Sequence, residues 1–185
     1  MIRIFPLLVI TLTTAPATGS GVTVRDLTGR SLELLAPAPR EIQLLFFLST
    51  DCPISNRYAP EITRMCSEYS GRGVRCFAVY PDAVDAAVVK RHRQEFGFPD
   101  TVPAVIDREH QVVRAVGPRV TPEAAVYTST GRVYRGRIND LYVDVGRSRR
   151  AATSHDVRLA LDAVLSGRPV PQPDTEAVGC LIPKP

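Results

Sequence analysis

Hydrophobic residues change their spacing several times along the chain, and each change predicts a different element of secondary structure. Apolar and polar residues alternate over Val22 to Asp26 and Ser31 to Leu34, on either side of a turn at Thr28-Gly29. This pattern is typical of a small β-hairpin. Ile42 to Leu48 is apolar except for Gln43, which predicts a strand buried on both faces.

Helical spacing begins at Ile54, and Gly71 and Gly73 mark the end of the predicted helix. A largely apolar strand follows at Val74 to Tyr80, and Val84 to Phe96 has the pattern of an amphipathic helix. A strand–helix–strand unit of this kind predicts parallel strands joined by a right-handed crossover. The apolar face of the first helix continues through Tyr58, Ile62, Met65, Cys66 and Tyr69.

The second half of the domain is predicted to add antiparallel strands and another helix. Val102 to Ile106 is apolar but is too short to assign to one type of element. Ala124 to Thr128 and Arg132 to Ile138 predict two strands joined by a Ser-Thr-Gly turn. Residues 153–156 cap a final helix that ends near Leu165. The predicted fold class is therefore α/β, with a mixed central sheet flanked by helices and an N-terminal hairpin.

Three segments are predicted from composition. Residues 1–17 combine a basic start, an apolar stretch too short to span a bilayer and an Ala-Pro-Ala sequence, which describes a secretory signal cleaved near Ala17. An uncleaved anchor or a disordered tail is the alternative. Residues 22–166 form one domain, and residues 167–185 form an extended, proline-rich tail. Export would place the mature protein in the periplasm or outside the cell, with no membrane span after cleavage and in an oxidising compartment.

Charge gives little indication of a partner. The net charge is +4, and aromatic residues make up only 6% of the chain and do not interleave with basic ones. We therefore expect no nucleic-acid binding. The basic run Arg147 to Arg150 is interpreted as a solvated loop, with a docking patch for an acidic partner as the alternative.

Cys52 is the main candidate for chemistry, because it stands between a buried strand and the start of a helix. Free amide N–H groups and the helix dipole at such a position favour the thiolate. Pro53 suits the first helical turn, and Ser55 stands where a Cys-x-x-Cys motif has its second thiol. Ser55 is expected to cap the helix, with a hydrogen bond to the sulfur as the alternative. Cys66 and Cys76 are expected to pack in the core, although a disulfide between them remains open.

Two segments carry a family resemblance. Ser49-Thr50-Asp51-Cys52-Pro53-Ile54-Ser55 follows the first core strand, and Val120-Thr121-Pro122 precedes the strand at Ala124. In this order of elements the chain resembles the thioredoxin fold and, more narrowly, the exported redoxins of the AhpC/TSA and TlpA-like group. The resemblance implies that Thr121–Pro122 is a cis bond facing the active sulfur of Cys52. The residues expected to support the site are Ser49, Thr50, Pro53, Ser55 and Arg57.

The resemblance implies an exported thiol–disulfide oxidoreductase with Cys52 as its single nucleophile. Its substrate would be a protein or small-molecule disulfide, and a thiol electron donor that the sequence does not identify would reduce it. We expect no cofactor. A metal site would need Cys52 and Cys180 brought together with a histidine, and we expect none. The alternatives are a peroxiredoxin-like thiol peroxidase, and a non-catalytic binding module or metal carrier with the same fold.

Cys180 has no predicted role in the core, because it lies beyond the proline-rich part of the tail. Pro169 to Cys180 spans 180 − 169 = 11 residues. At about 3.1 Å per residue this arm extends roughly 34 Å, enough to cross the face of a domain of this size. Cys180 is therefore predicted to resolve the oxidised state of Cys52, and an incidental free thiol is the alternative.

Overall fold

The computed structural model describes residues 21–183 of the chain. The predicted signal segment, residues 1–17, lies outside the described residues. The strands are β1 (Val22–Arg25), β2 (Ser31–Leu34), β3 (Ile42–Phe47), β4 (Val74–Tyr80), β5 (Ala104–Ile106), β6 (Val120–Thr121), β7 (Glu123–Thr128), β8 (Gly131–Gly136), β9 (Tyr142–Asp144), β10 (Arg147–Ser148) and β11 (Cys180–Leu181). The helices are α1 (Pro53–Ser70), α2 (Ala86–Glu95), α3 (Gln111–Val116) and α4 (Asp156–Leu165).

A five-stranded mixed sheet forms the centre, in the order β5-β4-β3-β7-β8. β3, β4 and β5 are parallel, whereas β7 and β8 run antiparallel to their neighbours. β3 lies in the middle of the sheet, and all six of its residues are buried. This arrangement confirms the predicted α/β class, and the leading hairpin β1–β2 and the extended tail are also present.

Each face of the sheet has its own hydrophobic core. Leu44 and Phe46 of β3 point into the core shared with α1, α2 and α4. Leu45 and Phe47, which alternate with them, point into the core beneath the β1–β2 hairpin and α3. Because successive side chains of a strand point to opposite faces, an unbroken apolar run supplies both cores.

Several short elements differ from the sequence prediction. α3, with six residues, was not predicted, and the unassigned stretch near residue 104 forms β5. β9 and β10 form an additional antiparallel pair. Arg147 to Arg150 was expected to be a solvated loop; these residues are exposed, but Arg147 and Ser148 form strand β10. Among residues 21–183, none of the helices combines the length and the apolarity that crossing a bilayer requires.

The C-terminal tail crosses the domain and is attached to it at two places. Near residue 175 it runs beside β8, where the Arg135 N–H donates to the Pro173 carbonyl at 2.8 Å and the Thr175 N–H donates to the Arg135 carbonyl at 3.0 Å. The Thr175 hydroxyl also accepts a hydrogen bond from the Arg137 N–H at 3.1 Å. Further along, β11 pairs antiparallel with β6.

Candidate active site

Cys52 is the N-cap residue of α1, at the end of the loop that follows β3. Its backbone is extended, with φ −88° and ψ 111°, and Pro53 opens the helix. A proline suits this position because the first N–H groups of a helix have no partner within it. The Cys52 side chain is only 1% exposed, so its sulfur lies beneath the surface.

Cys52 forms a disulfide with Cys180, and the two Cα atoms are 6.0 Å apart. The bond joins the start of α1 to the tail across 128 residues of sequence. Cys180 is partly exposed, in contrast to Cys52. The two cysteines that the sequence singled out are thus brought together in the structure.

Thr121 and Pro122 lie against this disulfide. The Thr121–Pro122 peptide bond is cis, and Cys52 Sγ is 3.1 Å from the Thr121 carbonyl oxygen. In the oxidised state that sulfur carries no proton, so the approach is a contact rather than a hydrogen bond. Cys180 pairs with Thr121 in the β6–β11 ladder, which places both cysteines of the disulfide beside one residue.

The other predicted site residues shape the loop before α1. The Cys52 N–H approaches the Ser49 carbonyl at 3.5 Å. Thr50, the next residue in this loop, is buried. The expectation that Ser55 caps the helix is wrong, because Cys52 holds the cap position and Ser55 lies within the first turn. Its hydroxyl instead faces the Ser49 N–H at 3.4 Å. Arg57 is exposed on the surface of α1, whereas the Cys52 sulfur is buried.

A buried hydrogen-bond chain that sequence reasoning missed supports this loop. Tyr80 Oη lies 3.1 Å from His92 Nδ1, and His92 Nε2 lies 2.8 Å from Asn56 Oδ1. The Asn56 amide then donates to the Thr50 carbonyl at 3.3 Å. Because an amide oxygen only accepts, His92 donates from Nε2 and accepts the tyrosine proton at Nδ1. The chain thus links β4 and α2 to the residue two positions before Cys52.

The same arrangement favours neutral His92. Burial lowers the pKa of His92 below its ordinary value of 6.5; Glu95 and Asp51 oppose this shift, and Arg93 adds to it. A proton added at Nδ1 would also remove the acceptor that the Tyr80 hydroxyl uses. One signal in the sequence could have located this residue, namely a histidine on the buried side of an amphipathic helix.

Cys66 and Cys76 are both buried, as expected, but they do not pack as free thiols. They form a second disulfide with Cα atoms 5.9 Å apart, which joins α1 to β4. α1 and the neighbouring strand β4 bring the two side chains into contact. From the sequence, this disulfide remained an alternative to two free thiols. Within residues 21–183 there is no group of three or more His, Cys, Asp or Glu side chains that could hold a metal ion.

Comparisons with known proteins identify the family and the fold. The AhpC/TSA family matches residues 18–137. An uncharacterised conserved protein of Geobacillus kaustophilus has a TM-score of 0.79 at 23% identity, with 92% of each chain covered. A hypothetical protein of Sinorhizobium meliloti 1021 has a TM-score of 0.74 at 25% identity, with 95% of each chain covered. No curated protein matches the chain.

A third similar structure carries a description of activity. It is a secreted Mycobacterium tuberculosis disulfide oxidoreductase homologous to E. coli DsbE, with a TM-score of 0.53 at 15% identity. The match covers 79% of this chain and 95% of that one. These likenesses confirm the thioredoxin-like fold that the sequence predicted. With more than half of its length matched by the family, the chain belongs to the AhpC/TSA family and is a redoxin of the thioredoxin-like superfamily.

Proposed function

We propose that the chain is an exported thiol–disulfide oxidoreductase in which Cys52 is the nucleophile and Cys180 resolves it. The observation that carries the proposal is the disulfide between a helix N-terminal sulfur and a tail cysteine. A thiol at a helix N-terminus is readily deprotonated and is a good leaving group. A purely structural link would not need the sulfur of Cys52 at this position.

Reduction of the oxidised protein begins at Cys180, because Cys180 is partly exposed and Cys52 is 1% exposed. A donor thiolate attacks Cys180 Sγ and forms a mixed disulfide with it. The Cys52–Cys180 bond breaks, and its electron pair leaves with Cys52 as the thiolate. A second donor thiolate attacks the donor sulfur of the mixed disulfide and releases the Cys180 thiolate. Two electrons have then entered the protein, and the donor leaves as a disulfide.

The reduced protein passes the same two electrons to its substrate. The Cys52 thiolate attacks a substrate disulfide, forms a mixed disulfide and expels one substrate thiolate. The Cys180 thiolate then attacks Cys52 Sγ, restores the internal disulfide and expels the second substrate thiolate. Solvent protonates both substrate sulfurs. Ser55 cannot take this role, which is why the resolving thiol comes from the tail.

Export is supported by the cysteines and by the secretory pattern of residues 1–17. All four cysteines are paired in disulfides. Disulfides persist in oxidising compartments and are rare in the cytosol. We therefore place the protein in the periplasm or outside the cell, where it would act on protein disulfides.

Insulin reduction by protein that has been reduced with dithiothreitol and then freed of it tests the assignment. We expect Cys52→Ser to reduce no insulin, and Cys180→Ser to stop after one mixed disulfide at Cys52, because no other thiol is present to resolve it. The double variant Cys66→Ala/Cys76→Ala, which removes the other disulfide, is the matched control and should keep full activity. Full activity in Cys52→Ser, or consumption of hydrogen peroxide in place of insulin reduction, would contradict the proposal.

A further inference from the structure

The tail occupies the edge of β6 as an added strand. Cys180 pairs with Thr121 and Leu181 pairs with Val120, in antiparallel register. The Ile182 N–H donates to the Arg119 carbonyl at 3.1 Å. An extended segment held in this way by main-chain hydrogen bonds can be replaced by another of similar shape, because the backbone contacts do not depend on side chains.

Gly179 approaches β6 more closely than any residue with a side chain could. A Cβ atom built on Gly179 would lie 2.2 Å from the Thr121 carbonyl oxygen and 2.6 Å from its carbon. It would also lie 3.2 Å from Pro122 N. The atoms it meets belong to buried backbone, so they cannot rotate away as a flexible side chain would. The residue before the cysteine must therefore be glycine for the sulfurs to meet in this register.

The neighbouring positions are under different constraints. Val178, two residues before the cysteine, is partly buried and packs against the core that α1 shares with the sheet. Leu181, directly after the cysteine, is 82% exposed and faces solvent. The binding site therefore constrains the two residues before the cysteine, which are an apolar residue followed by glycine, and leaves the residue after the cysteine unconstrained.

We propose that the tail is an internal copy of the substrate, and that the β6 edge accepts extended protein segments in which glycine precedes the reactive cysteine. This inference rests on the proposed function, since it names the substrate class of the same site. When Cys180 is reduced and residues 178–182 leave, the β6 edge and Cys52 become available together. A substrate segment would then pair with Val120 and Thr121 while the Cys52 thiolate attacks its cysteine sulfur.

The test uses the full chain with Cys180→Ser, which leaves the Cys52 thiol unpaired. The probes are peptides of the tail sequence from Glu176 to Pro183, each activated as a mixed disulfide with thionitrobenzoate. Attack of the Cys52 thiolate on the peptide sulfur joins the peptide to the protein and releases coloured thionitrobenzoate. One peptide keeps glycine before the cysteine, a second has alanine there, and a third has alanine in place of the leucine after the cysteine. The protein's own tail competes with each peptide for the β6 edge to the same extent, so the ratios of the three rates report the differences between the peptides.

We expect alanine in place of glycine to slow the reaction by about tenfold or more, as for a forced overlap with fixed backbone. Alanine in place of the exposed leucine should leave the rate within about twofold. Equal rates for the glycine and alanine peptides would overturn the inference. The small disulfide dithiobis(nitrobenzoate) tests separately whether the Cys52 thiolate is reactive, which the proposed function requires. If it reacts with Cys52 while the peptides do not differ, only the inference fails, and if it does not react, the proposed function fails as well.

A second arm tests the same contact within the intact protein. Gly179→Ala should weaken the Cys52–Cys180 bond, so that glutathione at a fixed ratio of oxidised to reduced form leaves about tenfold less of it closed. Gly71→Ala is the matched control, because Gly71 has ordinary helical angles and nothing lies within 4 Å of an added Cβ. Equal closure of the Gly179→Ala and Gly71→Ala proteins would contradict the proposed requirement for glycine.

Discussion

At the scale of single residues, the buried His92 is linked by hydrogen bonds to the loop that holds Cys52. Its two ring nitrogens contact Tyr80 and Asn56, and Asn56 contacts the Thr50 carbonyl. The neutral ring satisfies both of its partners, because Nε2 donates to Asn56 while Nδ1 accepts from Tyr80. The stability of the loop should therefore depend on the protonation state of this histidine.

We predict that His92 makes the folded protein less stable as the pH falls below about 6.5. Burial lowers the pKa of His92 in the folded state below the value of 6.5 that it has when unfolded. Between these two values the unfolded chain binds more protons, so the free energy of unfolding decreases as the pH falls. That stability is fully present above the unfolded pKa. Urea unfolding from about pH 8 to pH 5 should give a smaller slope for His92→Gln than for the wild type.

The exposed histidine at the start of α4 provides the control for this measurement. His155→Gln should keep the pH slope of the wild type, because His155 is solvent-exposed. Parallel pH profiles for the wild type and His92→Gln would show that the buried histidine does not control stability in this range.

Ser55 stands three residues after Cys52, where proteins with a Cys-x-x-Cys motif have their second thiol. We predict that Ser55→Cys creates a local dithiol with Cys52, because residues three apart at a helix start lie close enough for disulfide geometry. The new bond should compete with Cys180 and increase insulin reduction. Peptide mapping under non-reducing conditions would identify the pairing. Ser129→Cys, on an exposed turn, adds a thiol elsewhere and should not increase the activity.

At the scale of elements, the Cys66–Cys76 disulfide fixes α1 to β4 at a distance from the site. The two cysteines are 10 residues apart, and both are about 5% exposed. Cys66 lies 66 − 52 = 14 residues after Cys52, which corresponds to roughly 21 Å along a helix. A thiol at this distance cannot exchange directly with the Cys52 disulfide, so we assign the second bond a stabilising role.

We predict that Cys66→Ala/Cys76→Ala lowers the free energy of unfolding by about 2–4 kcal/mol, the usual contribution of a disulfide. Urea unfolding without reductant measures this loss against the wild type. Insulin reduction should not change, because α1 still begins at the same residue. An unchanged midpoint would mean that packing of α1 against β4 suffices without the bond.

Long elements with a clear hydrophobic period could be predicted from the sequence, as could the Cys52–Cys180 pair, whereas short elements and side-chain contacts between distant segments could not. The apolar run of β3 and the helical stripe of α1 each repeat over enough residues to identify the element. α3 has only six residues, which is too few for a period to become visible. The role of His92 depends on Asn56, which lies 36 positions earlier in the chain. The pairing of Cys52 with Cys180 followed from the reach of the tail, but the β6–β11 ladder that aligns them involves only two residues on each strand.

At the scale of the whole molecule, the tail has two attachments that respond differently to reduction. The contacts of Thr175 with β8 involve backbone and hydroxyl groups, so they do not depend on the disulfide. The pairing of β11 with β6 is short, and the sulfur bond holds it in place. Reduction should therefore release the end of the tail while its middle stays bound.

Hydrogen exchange can distinguish the two attachments residue by residue. We predict that the Ile182 amide, which donates to Arg119, loses its protection when the protein is reduced. The Thr175 amide, which donates to Arg135, should keep its protection. Cys52→Ser reproduces the open tail without reductant and serves as the control. Equal loss of protection at both amides would show that the tail leaves as one unit.

The anchor at Thr175 also determines how long any intermediate at Cys52 can last. Only 180 − 175 = 5 residues separate this anchor from the resolving thiol, so Cys180 stays within roughly 17 Å of it. A thiol tethered so closely acts as though it were present at a concentration on the order of millimolar. A competing thiol at ~1 μM would lose to it by about a thousandfold. The covalent complex between Cys52 and a substrate is therefore brief in the wild-type protein, and isolating the natural substrate from cells requires Cys180→Ser as bait.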